Sequence, residues 1–135
     1  MSRSAIYTAN ISSQNILENG VINPGTIVRR FGPNLNLAGN AIQICGAGYY
    51  DITAMVTLAP TAEGEATIKV LKDNVEVQGG TATATVATAG DVITLPVSVL
   101  VRENCGCCEG LSNLTFVLQN SGAEVTNVAI IVEKI

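Results

Sequence analysis

The sequence predicts an all-β protein made of about ten short antiparallel strands, arranged as a sandwich, barrel or jelly roll. Three observations lead to this fold class. Short runs rich in Val, Ile and Thr alternate apolar with polar residues, as a half-buried strand does. Gly, Pro and Asn separate these runs, and no long segment has the periodicity of a helix.

The amino-terminal third contains the weaker strand patterns. We predict strands around Ala5–Thr8, Val21–Val28 and Leu35–Ile44, each of them less regular than those that follow. Residues 1–20 are interpreted as a candidate N-terminal arm. We expect the whole chain, residues 1–135, to form one domain, because 135 residues suit one domain better than two.

The clearest strand pattern is YYDITAMVTLAP. Alternate side chains of a strand point to opposite faces, and here one face is apolar while the other is mostly polar. Pro60 has no backbone amide hydrogen and should end the strand. The predicted inner face consists of Tyr50, Ile52, Ala54, Val56 and Leu58.

The middle of the chain predicts three further strands, in EATIKVLKD, VEVQ and TATATVATAG. The DNV sequence predicts the first turn between them, and Gly79-Gly80 predicts the second. The alternation of Thr and Ala favours a strand at a close approach of sheets or subunits over a disordered linker, because threonine is a strong strand former.

Three strands are predicted in the carboxyl-terminal part. Pro96 within DVITLPVSVLVR indicates an edge strand or a bulge. LSNLTFVLQN aligns Leu114, Phe116 and Leu118 on one face. The last strand is apolar on both faces over Ala129–Val132, so it is either central in a covered sheet or in contact with another subunit.

The composition predicts self-association. The chain is 47% hydrophobic, yet only 13% of its residues are charged, about half the usual share of roughly 25%. A monomer of this size needs more solvated surface, so we expect part of the surface to be buried against other copies.

Charge and residue types disfavour several functions. The net charge of −4 disfavours nucleic-acid binding. The absence of histidine removes the commonest general base and metal ligand, so we expect no catalytic residues, no enzyme activity and no cofactor. No run is long enough for a secretory signal or a membrane span, so we expect synthesis in the cytoplasm.

Three of the four cysteines lie together in VRENCGCCEGLSNL. One interpretation is a thiolate metal site formed by Cys45, Cys105, Cys107 and Cys108, since Cys105 and Cys108 have the two-residue gap that zinc sites use. A second makes the same cysteines disulfide or cross-link residues, formed after release from the cytosol. The third is four free thiols. We prefer no metal and leave the last two open.

The segment GNAIQICGAGYYDITAMVTLAP resembles the central signature of the tumour necrosis factor and complement globular-head superfamily. In that superfamily a strand ends in a Gly turn, and an aromatic pair begins the long inner strand that follows. The later segments IKVLKDNVEVQGG, LTFVLQNSG and VAIIVEKI fit the same order. The chain is most similar to small bacterial and phage members, namely the C-terminal domain of collagen-like spore-surface glycoproteins and phage head-fibre or decoration proteins. This chain has no Gly-X-Y repeat, which argues against a stalk-tip role.

The resemblance implies a TNF-like jelly-roll sandwich that forms a homotrimer. It implies a non-catalytic structural subunit that assembles into, or decorates, a phage virion or a spore or cell-surface appendage. The alternative is a receptor- or carbohydrate-binding head module. The residues expected to form the trimer core are Tyr49, Tyr50, Phe116, Ile130 and Val132.

Overall fold

The structure is a computed structural model that describes residues 4–103, 112–120 and 122–135. These residues contain eleven β-strands and no helix, and therefore no helix long and apolar enough to cross a bilayer. The strands are β1 (Ser4–Asn10), β2 (Gln14–Ile16), β3 (Thr26–Phe31), β4 (Leu35–Ala38), β5 (Ala41–Ile44), β6 (Gly48–Pro60), β7 (Gly64–Lys72), β8 (Val75–Val86), β9 (Ile93–Glu103), β10 (Ser112–Gln119) and β11 (Ala123–Lys134).

The strands form two antiparallel sheets that pack face to face. The first sheet has the order β3-β1-β11-β6-β9, and β2 pairs with the start of β11. The second has the order β4-β5-β10-β7-β8. The all-β prediction, with about ten antiparallel strands in a sandwich, is confirmed.

The core lies between the two sheets and follows the period-two pattern of the sequence. The predicted inner face of YYDITAMVTLAP is fully buried, from Tyr50 to Leu58, and β11 contributes Val128, Ile130 and Val132. Residues of β7 and β10, such as Ile68 and Leu118, close the core from the second sheet. Apolar burial of this extent is the main favourable term for folding.

Two strands can be compared with what their sequences indicate. The strand β11 lies between β1 and β6, at the centre of a sheet, but Ile131 on its outer side is exposed, so contact of that side with another subunit stays a prediction. The strand β9, which contains Pro96, lies at the edge of the same sheet, where a missing amide donor is tolerated.

The prediction of a turn at Gly79-Gly80 is wrong. Both glycines lie within the 12-residue strand β8, where the pairing with β7 shifts between Lys69 and Leu71. An irregularity of this kind leaves extra residues on one strand, and glycine can adopt the backbone conformations that these extra residues require. A Cβ at Gly80 would lie 3.1 Å from Cβ of Val70, so the lack of a side chain allows a close approach.

The other boundaries differ in the weaker segments. The predicted strand Val21–Val28 is displaced to β3, and Val21 forms only an isolated bridge to Val117. The predicted strand Leu35–Ile44 is a hairpin of β4 and β5, because Gly39 adopts a left-handed conformation with φ of 59°. Within residues 1–20, the prediction of an arm stays untested, and β1 and β2 pair with β11 of the same chain.

The strand β6 runs the length of the sandwich, from one end to the other. The Gly48 end is where β6 begins, and the Pro60 end is where it finishes. Hydrogen bonds join the turns at the Pro60 end: the amide of Thr61 donates to the Gly122 carbonyl (2.9 Å), and that of Gly90 donates to the Pro60 carbonyl (2.8 Å). The turn around Asn19 crosses to the second sheet, where its amide donates to the Leu118 carbonyl (2.7 Å).

Candidate functional site

The outer face of the first sheet carries the main candidate surface. Because the inner face holds the core, alternate residues of each strand point away from it. On a protomer alone, five large apolar side chains on this side of the sheet are between 43% and 61% exposed: Phe31, Tyr49, Met55, Leu100 and Ile131. A group of exposed apolar residues this large marks an interaction surface.

Strand register arranges these side chains in rows across the sheet. Phe31 is opposite Ala5, and Tyr7 is opposite Ile131. Further across, Met55 lies between Ala129 and Pro96. The outer face therefore has an apolar patch near β3 and another near β9, and the carboxylates of Glu133 and Asp51 lie in the row between Ala5 and Leu100.

The outer edge of β8 is the second candidate surface. The run from Val77 to Gly90 contains no charged residue, and no described strand pairs with its free side. The other three sheet edges carry features that discourage strand addition. Strand β3 has Arg29 and Arg30, β4 has only four residues, and β9 contains Pro96.

A buried polar network lies at the Gly48 end. The Ser4 hydroxyl donates to Oδ1 of Asn34 (2.7 Å), and Nδ2 of Asn34 donates to the Cys45 carbonyl (2.6 Å). The Tyr50 hydroxyl donates its single proton to the Gly46 carbonyl (2.8 Å), and it lies 3.2 Å from the Cys45 carbonyl, which can share that proton. These bonds tie β1, the turn before β4, the end of β5 and the start of β6 together, and satisfy groups that would be costly to bury unpaired.

This network makes stability at high pH depend on Tyr50. Burial, reinforced by the negative charge of Glu103, raises the pKa of Tyr50 above its ordinary value. Above about pH 10 the unfolded chain loses the tyrosine proton while the folded chain keeps it, so the free energy of unfolding should fall as pH rises.

We expect Tyr50→Phe to make the dependence of stability on pH shallower above pH 10, even though it also loses the hydrogen bond that the Tyr50 hydroxyl donates at neutral pH. Urea unfolding of both proteins from pH 8 to 11 measures this. Parallel curves for the two proteins would contradict the assignment.

The predicted cysteine site falls mostly outside the described residues. Cys45 is disulfide-bonded. A disulfide-bonded Cys45 is neither a thiolate ligand nor a free thiol, so the interpretations as a four-cysteine metal site and as four free thiols are wrong for this residue. Cys105, Cys107 and Cys108 lie outside the described ranges, so the pairing of the cysteines stays a prediction. Within the described residues, no group of three or more Cys, Asp or Glu side chains is placed to hold a metal ion.

The structure places the five predicted trimer-core residues in two different environments. Tyr50, Ile130 and Val132 are fully buried in the core of the protomer, and Phe116 is nearly so. Tyr49 is exposed on the outer face, where the Arg102 guanidinium lies 5.9 Å from its ring centre. That these residues meet at a threefold axis stays a prediction, and it applies most directly to Tyr49, since the others have almost no exposed surface left.

Sequence reasoning did not identify Phe31, Met55 and Leu100 as parts of one surface. The sequence pattern around these residues does not indicate a shared surface. Met55 lies on the mostly polar face of its strand, and Phe31 lies in a segment with no clear alternation. Strand order brings these residues to one sheet face, and single-strand patterns do not contain that order.

Comparison with known proteins identifies the fold. No protein-family model and no curated protein matches the chain. Murine APRIL at pH 5.0 is similar in structure, with a TM-score of 0.74 and 10% identity over 98% of this chain and 99% of that one. The globular domain of zebrafish complement 1qA has a TM-score of 0.68 and 6% identity, over 96% and 94% of the chains.

A third similar structure is the PRD1 vertex protein P5, with a TM-score of 0.65 and 18% identity over 97% of this chain and 95% of that one. All three likenesses extend over nearly the whole chain, and at these identities they report on the fold alone. Together with the order of strands in the two sheets, they show that the chain has the TNF-like jelly-roll fold.

Proposed function

We propose that the protein is a non-catalytic structural subunit that forms a homotrimer and builds or decorates a larger particle. The observation that carries the proposal is the apolar outer face of the first sheet, which is exposed on a single protomer. A surface of this kind is costly to leave in water and becomes favourable when a second copy covers it.

The arrangement of surfaces favours a closed ring of copies. The exposed face around Met55 and Leu100 differs from the uncharged edge of β8, so a contact between them joins two unlike surfaces. Repeated contacts between unlike surfaces form a closed ring when the rotations from each copy to the next add up to a full turn. The resemblance to the TNF and complement-head superfamily supports three copies in the ring, and Tyr49 is a candidate contact near its axis.

A particle-building role also fits the chemistry of the chain. It has no histidine, and the described residues contain no cluster of metal-binding side chains. The structural likeness to a vertex protein supports placement in a virion, with synthesis in the cytoplasm as the expected route. A spore or cell-surface appendage is the other assembly that the resemblance supports.

Native mass spectrometry combined with light scattering tests the trimer. We expect a species of about 42 kDa, three times the 14.0 kDa of the chain, at micromolar concentration. The trimer should persist at high salt, because apolar burial rather than charge holds it. A stable monomer under these conditions would remove the basis of the proposal.

A receptor- or carbohydrate-binding head is the second candidate, and one observation favours it. Phe31 and Tyr49 are exposed towards the Gly48 end, and aromatic faces of this kind stack on sugar rings. A glycan array tests this function. Clear binding that Phe31→Ala abolishes, while the trimer mass stays unchanged, would favour the binding head over a purely structural role.

A further inference from the structure

A polar cleft of about 180 Å³ lies beside the hairpin of β4 and β5, near the Gly48 end. The polar side chains that line it are those of Arg30, Asn34, Asn36 and Gln43. The hairpin belongs to the second sheet, whereas the apolar face assigned to the trimer is the outer face of the first sheet. The cleft is therefore separate from the surface assigned to the trimer.

Two carboxamides stand side by side in this cleft. Strand register places Asn36 directly opposite Gln43. Their neighbours Leu35, Ile42 and Ile44 are buried in the core, so alternation turns both carboxamides to the outer face of the second sheet. Neither side chain forms a hydrogen bond within the described residues. Each carboxamide thus keeps its N–H donors and its acceptor oxygen for a ligand.

Arg30 supplies the positive charge of the cleft. Its Nε donates to the Leu35 carbonyl, which holds the guanidinium beside the hairpin and leaves its remaining N–H groups available. Arg30 forms no ion pair within the described part of the chain, and residues 32–48 contain no charged side chain. A guanidinium without a carboxylate partner matches the planar geometry of a carboxylate on a ligand.

The buried wall of the cleft is held in place before any ligand arrives. Asn34 is only 6% exposed, its Oδ1 accepts from the Ser4 hydroxyl (2.7 Å), and its Nδ2 donates to the Cys45 carbonyl (2.6 Å). Cys45 also lines the cleft and is disulfide-bonded. A wall that is already ordered lowers the entropy cost of binding.

We propose that this cleft binds an acidic sugar unit, a pyranose ring that carries a carboxylate. Arg30 pairs with the carboxylate, while Asn36 and Gln43 exchange hydrogen bonds with ring hydroxyls, which both donate and accept. The exposed ring of Pro33 gives the C–H groups of the sugar an apolar contact. The volume is below the roughly 300–1,000 Å³ of pockets for drug-sized ligands, so it suits one ring.

This site goes beyond the proposed structural function and needs neither the trimer nor an exposed aromatic residue. Phe31, on which the binding-head candidate depends, does not line the cleft. The trimer mass therefore tests the proposed function separately. Phe31→Ala should leave binding in the cleft unchanged.

Isothermal titration with glucuronate, N-acetylneuraminate, glucose and acetate tests the site. At least one of the two acidic sugars should bind with a dissociation constant of about 1 mM, because one ring makes few contacts. Glucose and acetate should bind about tenfold more weakly or less, since each lacks one half of the recognised groups. Arg30→Gln should weaken binding of the acidic sugar about tenfold or more, the effect of losing one charged hydrogen bond. Asn36→Ala and Gln43→Ala should weaken it by smaller factors without changing the binding of acetate.

Arg29→Gln is the matched control, because it removes the same charge from an exposed neighbour that does not line the cleft. We expect it to leave the dissociation constant within about twofold of the wild type, since it removes no contact. A wild type that binds neither acidic sugar, acetate that binds as tightly as they do, or equal losses in Arg29→Gln and Arg30→Gln would each overturn the site. Because Asn36 and Gln43 have no side-chain bonds to lose, their variants keep the test decisive if Arg30→Gln does not fold.

Discussion

Replacing Met55 and Ile131 together by lysine is expected to convert the trimer into monomers. Both side chains are exposed on the protomer, at 50% and 43%, so the substitutions should leave the protomer folded. In the trimer each lysine would have to lose its water at an apolar contact, which costs several kcal/mol per charge. We expect the dissociation constant to rise at least a hundredfold, equivalent to about 2.7 kcal/mol.

The matched control is Ile11→Lys with Leu17→Lys, which adds the same charge at two apolar residues that are 85% and 81% exposed at the Pro60 end. This variant should remain a trimer, because Ile11 and Leu17 lie in the connections that follow β1 and β2, outside the strands that carry the outer face. Sedimentation equilibrium gives both dissociation constants, and circular dichroism checks the fold. Trimers of equal stability in the two double variants would exclude the outer face as the trimer contact.

Gly25→Ala is expected to cause the largest loss of stability among the glycine substitutions. Gly25 precedes β3 with φ of 91°, and a Cβ there would lie 2.1 Å from the Ala9 carbonyl oxygen and 2.6 Å from Cβ of Asn10. No flexible side chain can move aside at the carbonyl, so the backbone of β1 or β3 must shift. We expect the free energy of unfolding to fall by about 4 kcal/mol or more, the range of exceptional substitutions.

Gly90→Ala separates this clash from backbone strain. Gly90 has the same φ of 91°, but nothing lies within 4 Å of the added Cβ. Its cost should be that of a left-handed alanine alone, about 1–2 kcal/mol. Urea unfolding measures both variants, and the fraction recovered folded is the measure if Gly25→Ala is too unstable. Equal losses would show that the approach of Gly25 to Ala9 does not constrain the fold.

The regular strands could be predicted from the sequence, because burial of one face of a strand makes apolar and polar residues alternate along it. The inner face of β6 from Tyr50 to Leu58 is predicted correctly for this reason, and so is the edge position of Pro96. Gly79-Gly80 is a place where prediction from neighbouring residues alone is wrong. Two glycines signal a turn in isolation, whereas pairing with β7 keeps them within one bulged strand.

The candidate surfaces were less predictable than the strands. The doubly apolar run Ala129–Val132 correctly indicated a central strand, and it left Ile131 exposed on the outer side. Tyr50 and Phe116 were expected at the trimer axis and are buried in the protomer, because large aromatic side chains fill a core as readily as an interface. Only the direction in which each side chain points separates the two environments.

The sequence by itself determined the all-β class, the segments that become strands and the apolar faces of the regular ones, because alternation and turn residues act over a few neighbouring positions. Tertiary structure alone decided which strands are neighbours, that Phe31, Met55 and Leu100 share one outer face, and that the described Lys and Arg residues all lie in the half of the sandwich towards Gly48. These features join residues far apart in the chain through strand order, and no local pattern records that order.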